Sequence, residues 1–204
     1  GGLEASMLCH YRIAVASAKV GLPEVLIGVL PGGGGTQRLP RLIGPQAALE
    51  MILSGRHVPA DEALRLGILD EVVSEGELLD AAVAFAERVA SDPVRRIRDL
   101  DDKLKGFDPG IFDAMRKSIA RKARNQKAPY NCIKTVEACV SLPFDEGIAR
   151  ERELFEELVN ADEAKSLRYA FFSERAARKV PGVPATTPAR EVATVAVIGA
   201  GTMG

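Results

Sequence analysis

Apolar and polar positions change their spacing several times in the first 92 residues, which is typical of a mixed α/β fold. Apolar, β-branched runs predict two strands, at 11–16 and 68–73. Apolar residues three or four positions apart predict four helices, at 3–9, 44–53, 60–66 and 77–90. Pro59 and Gly67 are typical residues for the beginning and the end of the third helix.

From residue 93 onward the spacing is helical almost throughout. Helices are predicted at 109–127, 131–140, 146–159 and 160–179. The first is basic, and its positive face either is simply solvated or forms a patch that faces an anionic ligand. Asn160, with Glu163 three residues later, has the spacing of a helix N-cap. The proline-rich stretch 181–188 has the composition of a linker.

The end of the sequence has a different pattern. The apolar run Val192 to Ile198 predicts a strand, and Gly199, Gly201 and Gly204 follow it with the spacing GxGxxG. In a dinucleotide-binding turn this spacing brings backbone amides and a helix N-terminus to a pyrophosphate. The motif alone is a weak signal, and the helix and the ribose-binding acid that should follow are absent from the sequence. We therefore expect the chain to be a fragment of a longer protein, with material missing at both ends.

Composition excludes several classes of function. The 204 residues are 47% hydrophobic and carry a net charge of −1, so no overall field favours nucleic acid. No apolar run approaches the ~18 residues of a membrane span. Three cysteines, Cys9, Cys132 and Cys139, lack metal-ligand spacing, and the chain has only two histidines. The sequence therefore predicts no metal site and favours a reducing compartment.

Two acids are candidates for chemistry. Glu4 follows paired glycines at a predicted helix start, and Glu24 follows Pro23. Mostly apolar neighbours are expected to raise the pKa of both carboxyls, and two such acids can share the roles of base and acid. The amides of Gly1 and Gly2 could then stabilise an oxyanion. The alternative is that Glu4 is only a favourable acid at a helix start and that Glu24 is a surface acid at a turn.

Four consecutive glycines, 32–35, follow the second acid. They do not form a phosphate-binding loop, because Thr36-Gln37-Arg38 follows them where that motif needs Lys and Ser or Thr. Either a loop whose backbone approaches a ligand or a tight path between packed elements remains open.

The sequence resembles a known family in several places. GGLEASMLCHYRIA, VGLPEVLIGVLPGGGGTQRLPRLIG and SGRHVPADEALRLGILDEVV are similar to the crotonase (enoyl-CoA hydratase/isomerase) superfamily. With LRYAFFSERAARK and VAVIGAGTMG, the whole chain resembles the type-1 multifunctional enzymes of fatty-acid β-oxidation. In those enzymes a helical linker joins a hydratase/isomerase half to an NAD-dependent 3-hydroxyacyl-CoA dehydrogenase half.

The resemblance implies an α/β fold in three parts. Residues 1–92 would be a crotonase-type region of ββα spiral fold without its N-terminal half. Residues 93–188 would be a helical region and linker. Residues 189–204 would be the first strand and glycine loop of a truncated, Rossmann-type NAD-binding domain.

The resemblance also implies roles for single residues. Glu4 matches the glutamate that activates water, and Glu24 matches the one that exchanges the proton at C2 of the substrate. Gly1 matches the glycine whose amide binds the thioester oxygen, and Gly32 matches backbone that helps to hold the water. The dinucleotide loop of the dehydrogenase half is matched by Gly199, Gly201 and Gly204. His10 departs from the pattern, because the family often has aspartate there.

The implied activity of the parent protein is hydration of trans-2-enoyl-CoA, isomerisation of 3-enoyl-CoA and oxidation of the 3-hydroxy product. NAD would be the cofactor of the parent, whereas the hydratase chemistry needs none. The expected partners are an acyl-CoA thioester and the remainder of the polypeptide; oligomerisation is left open. Alternatively, the chain is a non-catalytic fragment or association module, or an isolated NAD-binding module. Abundant alanine and arginine favour a bacterial cytoplasm, with the peroxisome as the alternative.

Overall fold

The computed structural model describes residues 1–184, 186–188, 190–199 and 201. The chain divides into two compact units, residues 1–171 and 172–204. Its helices are α1 (Gly2–Ser6), α2 (Gly35–Ile43), α3 (Pro45–Ser54), α4 (Ala60–Leu66), α5 (Leu78–Val89), α6 (Gly110–Ile119), α7 (Ala128–Ser141), α8 (Phe144–Val159) and α9 (Asp162–Ala177). Shorter 3₁₀ helices span Pro23–Ile27, Ile97–Asp99 and Asp102–Leu104. The strands are β1 (Ile13–Val15), β2 (Lys19–Val20), β3 (Val58–Pro59) and β4 (Glu71–Val73).

The strands form two small pairs. β1 and β4 are parallel, with Ala14 opposite Val72, and β2 and β3 are antiparallel, with Val20 opposite Val58. A parallel pair needs a long crossover, and here α2, α3 and α4 lie in the connection between β1 and β4. The first unit is therefore an α/β structure in which helices supply most of the core.

The core lies where α7 packs against α2, α3 and α8. A close approach of α8 to α2 depends on Gly147, because a Cβ there would lie 2.2 Å from Oε1 of Gln37. The largest apolar side chains that are fully buried are Met7, Leu22, Leu30, Leu39, Leu49, Met51, Ile52, Ile68, Ile133 and Leu158. Within this packing, α2 is in contact with α3, α7 and α8.

Several predicted elements are observed. The predicted helix 60–66 has the same bounds as α4, and α3, α5, α7, α8 and α9 lie within two or three residues of their predicted bounds. The helical segment 93–171 belongs to the same compact unit as residues 1–92. Among the described residues, no helix has the length and apolar character needed to cross a membrane.

Two predicted elements are wrong. The predicted helix 109–127 ends at Ile119 as α6, and Asn125 then has a φ of +66°. Asparagine tolerates this left-handed conformation, which a continuing helix does not contain. The predicted strand Val192–Ile198 has no regular structure, and Ile198 is 95% exposed. A strand needs a neighbouring strand for its hydrogen bonds, and none among the described residues pairs with this segment.

Candidate active site

The glycine loop, residues 32–35, leads directly into α2 and places a row of backbone N–H groups beside Glu4. The amides of Gly33 and Gly35 donate hydrogen bonds of 2.8 Å and 2.9 Å to Oε1 of Glu4. Gly35 is also the first residue of α2, and the N-terminal end of a helix favours negative charge. Of the two predicted alternatives for the glycines, the tight path between packed elements is observed, with the backbone against the carboxylate of Glu4. An approach of this backbone to a ligand stays a prediction.

Glu4 is a buried residue of α1, with 8% of its surface exposed. Burial raises the pKa of Glu4, and the negative charge of Glu24 adds to that increase. The amides of Gly33 and Gly35 oppose it, because they stabilise the ionised carboxylate. Oε2 of Glu4 accepts no hydrogen bond from the described residues, so one oxygen of a comparatively basic carboxylate remains available.

Glu24 lies in the 3₁₀ helix Pro23–Ile27, and Pro23 is at the first helical position. Proline there restricts φ and so fixes the direction in which the next residue points. Oε1 of Glu24 lies 3.5 Å from the nitrogen of Gly1. Oε2 is buried without a hydrogen-bond donor among the described residues. Such an atom costs about 1–3 kcal/mol, and a catalytic role is one explanation for keeping it.

A side chain is unfavourable at every glycine of the loop, for three different reasons. A Cβ on Gly33 would lie 2.9 Å from Oε2 of Glu4, and one on Gly35 would lie 2.7 Å from Oε1. A Cβ on Gly32 would lie 2.4 Å from the ring of Phe155. Gly34 has a φ of +90°, a backbone conformation that residues other than glycine adopt only at a cost in free energy. The carboxylate of Glu4 and the ring of Phe155 therefore pack directly against this loop.

A third carboxylate at the loop was not predicted. Glu151, on α8, is 1% exposed and accepts hydrogen bonds from the amides of Gly34 (2.6 Å) and Thr36 (3.0 Å). The Thr36 hydroxyl donates a third, of 2.5 Å. Burial raises the pKa of Glu151 to about 7, and the charge of Glu4 contributes in the same direction. The sequence contains one signal for the burial of Glu151. The residue lies on the same helical face as the apolar Leu154 and Leu158 of α8.

The remaining predicted residues are distributed over both units. Gly1 lies beside Glu24, and Gly32 is exposed next to the amides that bind Glu4. A cavity of about 590 Å³ opens beside Gly1 and Pro23. No group of three or more His, Cys, Asp or Glu within the described part of the chain has an arrangement that could hold a metal ion.

The dinucleotide motif lies in the second unit. Gly199 has a φ of +98° and Gly201 lies in a bend, while Gly204 is outside the described residues. The residues before Gly199 form no strand, so the described part of this segment does not by itself fit NAD.

The first unit contains the parts of an acid–base site. Two carboxylates interact electrostatically, and each keeps an oxygen without a donor among the described residues. Backbone amides lie beside Glu4, and the amino-terminal nitrogen of Gly1 lies beside Glu24. Such a pair can remove a proton from one atom and deliver a proton to another.

The chain is similar to known proteins of one family. A family model described as enoyl-CoA hydratase/isomerase matches residues 1–107. The chain is 47% identical to the peroxisomal bifunctional enzyme of Cavia porcellus over 211 residues, covering all of this chain and 29% of that protein. It is 42% identical to the glyoxysomal fatty acid beta-oxidation multifunctional protein MFP-a of Brassica napus over 210 residues, with the same coverage. The chain thus spans about three tenths of the length of these relatives.

Solved structures are similar over most of the chain. A carnitinyl-CoA hydratase from Mycobacterium avium superposes with a TM-score of 0.57 at 28% identity, covering 85% of this chain and 56% of that one. A carnitinyl-CoA dehydratase from Mycobacterium avium 104 has a TM-score of 0.58 at 24% identity, covering 85% and 57%, and supports the fold alone.

Proposed function

The chain belongs to the enoyl-CoA hydratase/isomerase family, and we propose that the full-length protein hydrates trans-2-enoyl-CoA to 3-hydroxyacyl-CoA in fatty-acid β-oxidation. The observation that carries this proposal is the pairing of Glu4 with Glu24. Glu4 is held by two loop amides, and Glu24 has one buried oxygen without a donor among the described residues. The site is therefore suited to moving two protons at neighbouring atoms.

Hydration divides the work between the two acids. Glu4 removes a proton from water as the water oxygen bonds to C3 of the enoyl thioester. Glu24 delivers its proton to C2, so the elements of water add across the double bond. Negative charge develops on the thioester oxygen, and the backbone nitrogen of Gly1 is our candidate donor to it. Removing one such donor typically lowers the rate by ~10²–10³. The backbone of Gly32 is our candidate for holding the water.

Isomerisation uses the second acid alone. In a 3-enoyl-CoA, Glu24 can take a proton from C2 and return one to C4, which moves the double bond into conjugation. Its buried Oε2 supports this proposal, because a carboxylate oxygen without a donor is a ready proton acceptor.

For the longer protein, we propose an NAD-dependent 3-hydroxyacyl-CoA dehydrogenase half that oxidises the hydration product. Its support is the glycine spacing at Gly199, Gly201 and Gly204. The proposed domain boundaries of this chain follow from that organisation. They are a crotonase-type region at 1–92, a helical region and linker at 93–188, and the start of an NAD-binding domain at 189–204. The proposed partners are an acyl-CoA thioester and the rest of the polypeptide.

Compartment is a separate proposal. The printed names of the relatives are peroxisomal and glyoxysomal, which favours a peroxisome-type compartment for this protein. The bacterial cytoplasm predicted from composition stays a prediction.

The proposal is tested by following the absorbance of the conjugated thioester in a short trans-2-enoyl-CoA. In the full-length protein we expect Glu4→Gln and Glu24→Gln each to lower kcat by roughly 10²–10⁴, because each removes a proton-transfer group. Glu50→Gln is the matched control, since it makes the same change at an exposed glutamate of α3.

Two results would contradict the proposal in different ways. No hydration by the unmodified protein overturns the hydratase function and favours a non-catalytic association module. Hydration that survives both substitutions overturns the assignment of the site while leaving the activity.

A further inference from the structure

The glycine loop binds carboxylates on both of its faces. Amides of Gly33 and Gly35 point to Glu4, whereas amides of Gly34 and Thr36 point to Glu151. Successive N–H groups therefore alternate between two acids that come from opposite ends of the first unit. A shift of the backbone that improves one set of bonds must disturb the other, because the four amides belong to one continuous segment.

The hydrogen bonds and burial of Glu151 exclude it from proton transfer to a substrate. Its Oε1 accepts from Gly34, and its Oε2 accepts from both the amide and the hydroxyl of Thr36. The side chain is 1% exposed, so it does not reach a substrate. Its acceptors are directed only at the loop.

The position of Glu151 is set by the packing of α8 on α2. Gly147, one turn earlier, brings α8 close to α2, because a Cβ there would meet Gln37. Phe155, one turn later, packs where a Cβ of Gly32 would lie. Three positions on one face of α8 thus lie against the same six-residue segment, 32–37.

Two like charges at one loop need compensation. The negative charge of Glu4 raises the pKa of Glu151, so the two carboxylates repel each other. Four amide donors and the N-terminal end of α2 lie between them and offset that repulsion. Arg38 adds a favourable charge interaction with both acids, and its guanidinium donates to the carbonyl of Gly33. The segment therefore has the donors to hold both acids at once.

We propose that Glu151 is a positioning residue for Glu4, which it keeps in place by fixing the glycine loop from the side opposite to the site. The inference rests on the proposed function, in which Glu4 activates water. A base displaced by about 1 Å typically costs ~10²-fold in rate. Substrate binding does not pass through Glu151, so the defect belongs in kcat rather than in KM.

The test compares two substitutions on α8 in the full-length protein. Glu151→Gln removes the carboxylate, whereas Leu158→Ala removes a buried apolar side chain about two turns further along α8. We expect Glu151→Gln to lower kcat by roughly 10–10²-fold with KM unchanged within about twofold. Leu158→Ala should destabilise α8 but leave both constants unchanged.

Hydrogen exchange, measured by mass spectrometry on the peptide that covers residues 31–37, gives a readout that needs no turnover. If Glu151 positions the whole loop, its substitution raises the exchange rate of four amides. These include the amides of Gly33 and Gly35, which form no hydrogen bond with Glu151. If its role is local, only the amides of Gly34 and Thr36 lose protection, and that result overturns the proposal. An unchanged kcat in Glu151→Gln also overturns it.

A second variant and the exchange measurement keep the proposal testable if one experiment fails. If Glu151→Gln does not fold, Thr36→Val removes one donor to Glu151 and should lower kcat in the same direction, again with KM unchanged. Absence of hydration by the unmodified protein would overturn the proposed function, while the count of exchanging amides decides the role of Glu151 separately.

Discussion

The carboxylates on the two faces of the glycine loop differ in how many of their oxygens accept hydrogen bonds. Glu4 receives both of its amide bonds on Oε1 and leaves Oε2 without a donor among the described residues. Glu151 has donors on both oxygens. Both acids are buried, and burial raises the pKa of each. The difference that separates the reacting acid from the supporting one is therefore the remaining acceptor capacity, and burial alone does not distinguish them.

Glu24 agrees with this distinction. It has a buried oxygen that receives no hydrogen bond from the described residues, as expected of an acid that exchanges protons with a substrate. Glu24 thus belongs with Glu4, and Glu151 differs from both. Substitutions that act on one face of the loop only test this difference.

The largest effect is expected from a methyl group on the Glu4 face. In Gly33→Ala the new Cβ would lie 2.9 Å from Oε2 of Glu4, so the carboxylate must move. We expect kcat for hydration to fall by ~10²-fold with little change in the urea midpoint. In Gly35→Ala the Cβ would also lie 2.8 Å from Pro31, so both kcat and stability should fall. Full activity in Gly33→Ala would show that the position of Glu4 is unimportant.

The second-largest effect is expected in the pH dependence of the free energy of unfolding, through Glu151. The pKa of Glu151 rises from 4.5 to about 7 on folding, so the folded form binds that proton more tightly than the unfolded form. Its contribution to the free energy of unfolding is therefore fully present below pH ~4.5 and is lost as pH rises to ~7, by on the order of 3 kcal/mol.

Urea unfolding at several pH values measures this contribution. The free energy of unfolding of the unmodified protein minus that of Glu151→Gln should decrease between pH 5 and pH 8, because glutamine does not titrate. A difference that stays constant across this range would mean that the folded protein does not hold this proton.

A smaller effect is expected from one hydroxyl. Thr36 is fully buried, and its hydroxyl donates to Glu151 and accepts a hydrogen bond of 3.1 Å from Gln37. Thr36→Val should lower the free energy of unfolding by about 1–3 kcal/mol, because a buried carboxylate loses a donor. Thr36→Ser keeps the hydroxyl and should cost less, as measured by urea unfolding. Equal losses in the two variants would show that the hydroxyl, which Thr36→Val removes, contributes no more than the methyl group, which Thr36→Ser removes.

The smallest effect is expected for an acid with two hydrogen bonds outside the core. Arg56 donates bonds of 3.0 Å and 2.6 Å to the two oxygens of Glu62, on the exposed surface of α4. Glu62→Gln should leave the urea midpoint unchanged, because water competes for exposed ion pairs. A loss as large as that of Thr36→Val would show that the number of hydrogen bonds matters more than burial.

Much of the candidate site could be predicted because it is encoded locally. Glu4, Glu24 and the glycine loop lie within the first 35 residues, in motifs that resemble a known family. Helix α4 was predicted with its observed bounds because Pro59 and Gly67 signal its ends by their own backbone preferences. Such signals act within a few residues and need no knowledge of the rest of the fold.

Other elements could not be predicted because they depend on distant parts of the chain. α2 was missed, since it begins with glycine, contains Pro40 and buries Thr36 and Gln37 among its apolar residues. The strand predicted at Val192–Ile198 has the right residue types, but no described strand pairs with it.

The sequence by itself determined the family, the two candidate acids and the approximate positions of most helices, because each depends on residues close together in the chain. Only the tertiary structure decided that Glu151, more than 100 residues after the glycine loop, closes the opposite face of that loop. It also decided which oxygens are left without donors. Burial and hydrogen bonding depend on which distant segments meet, and packing of α8 against α2 brings these segments together.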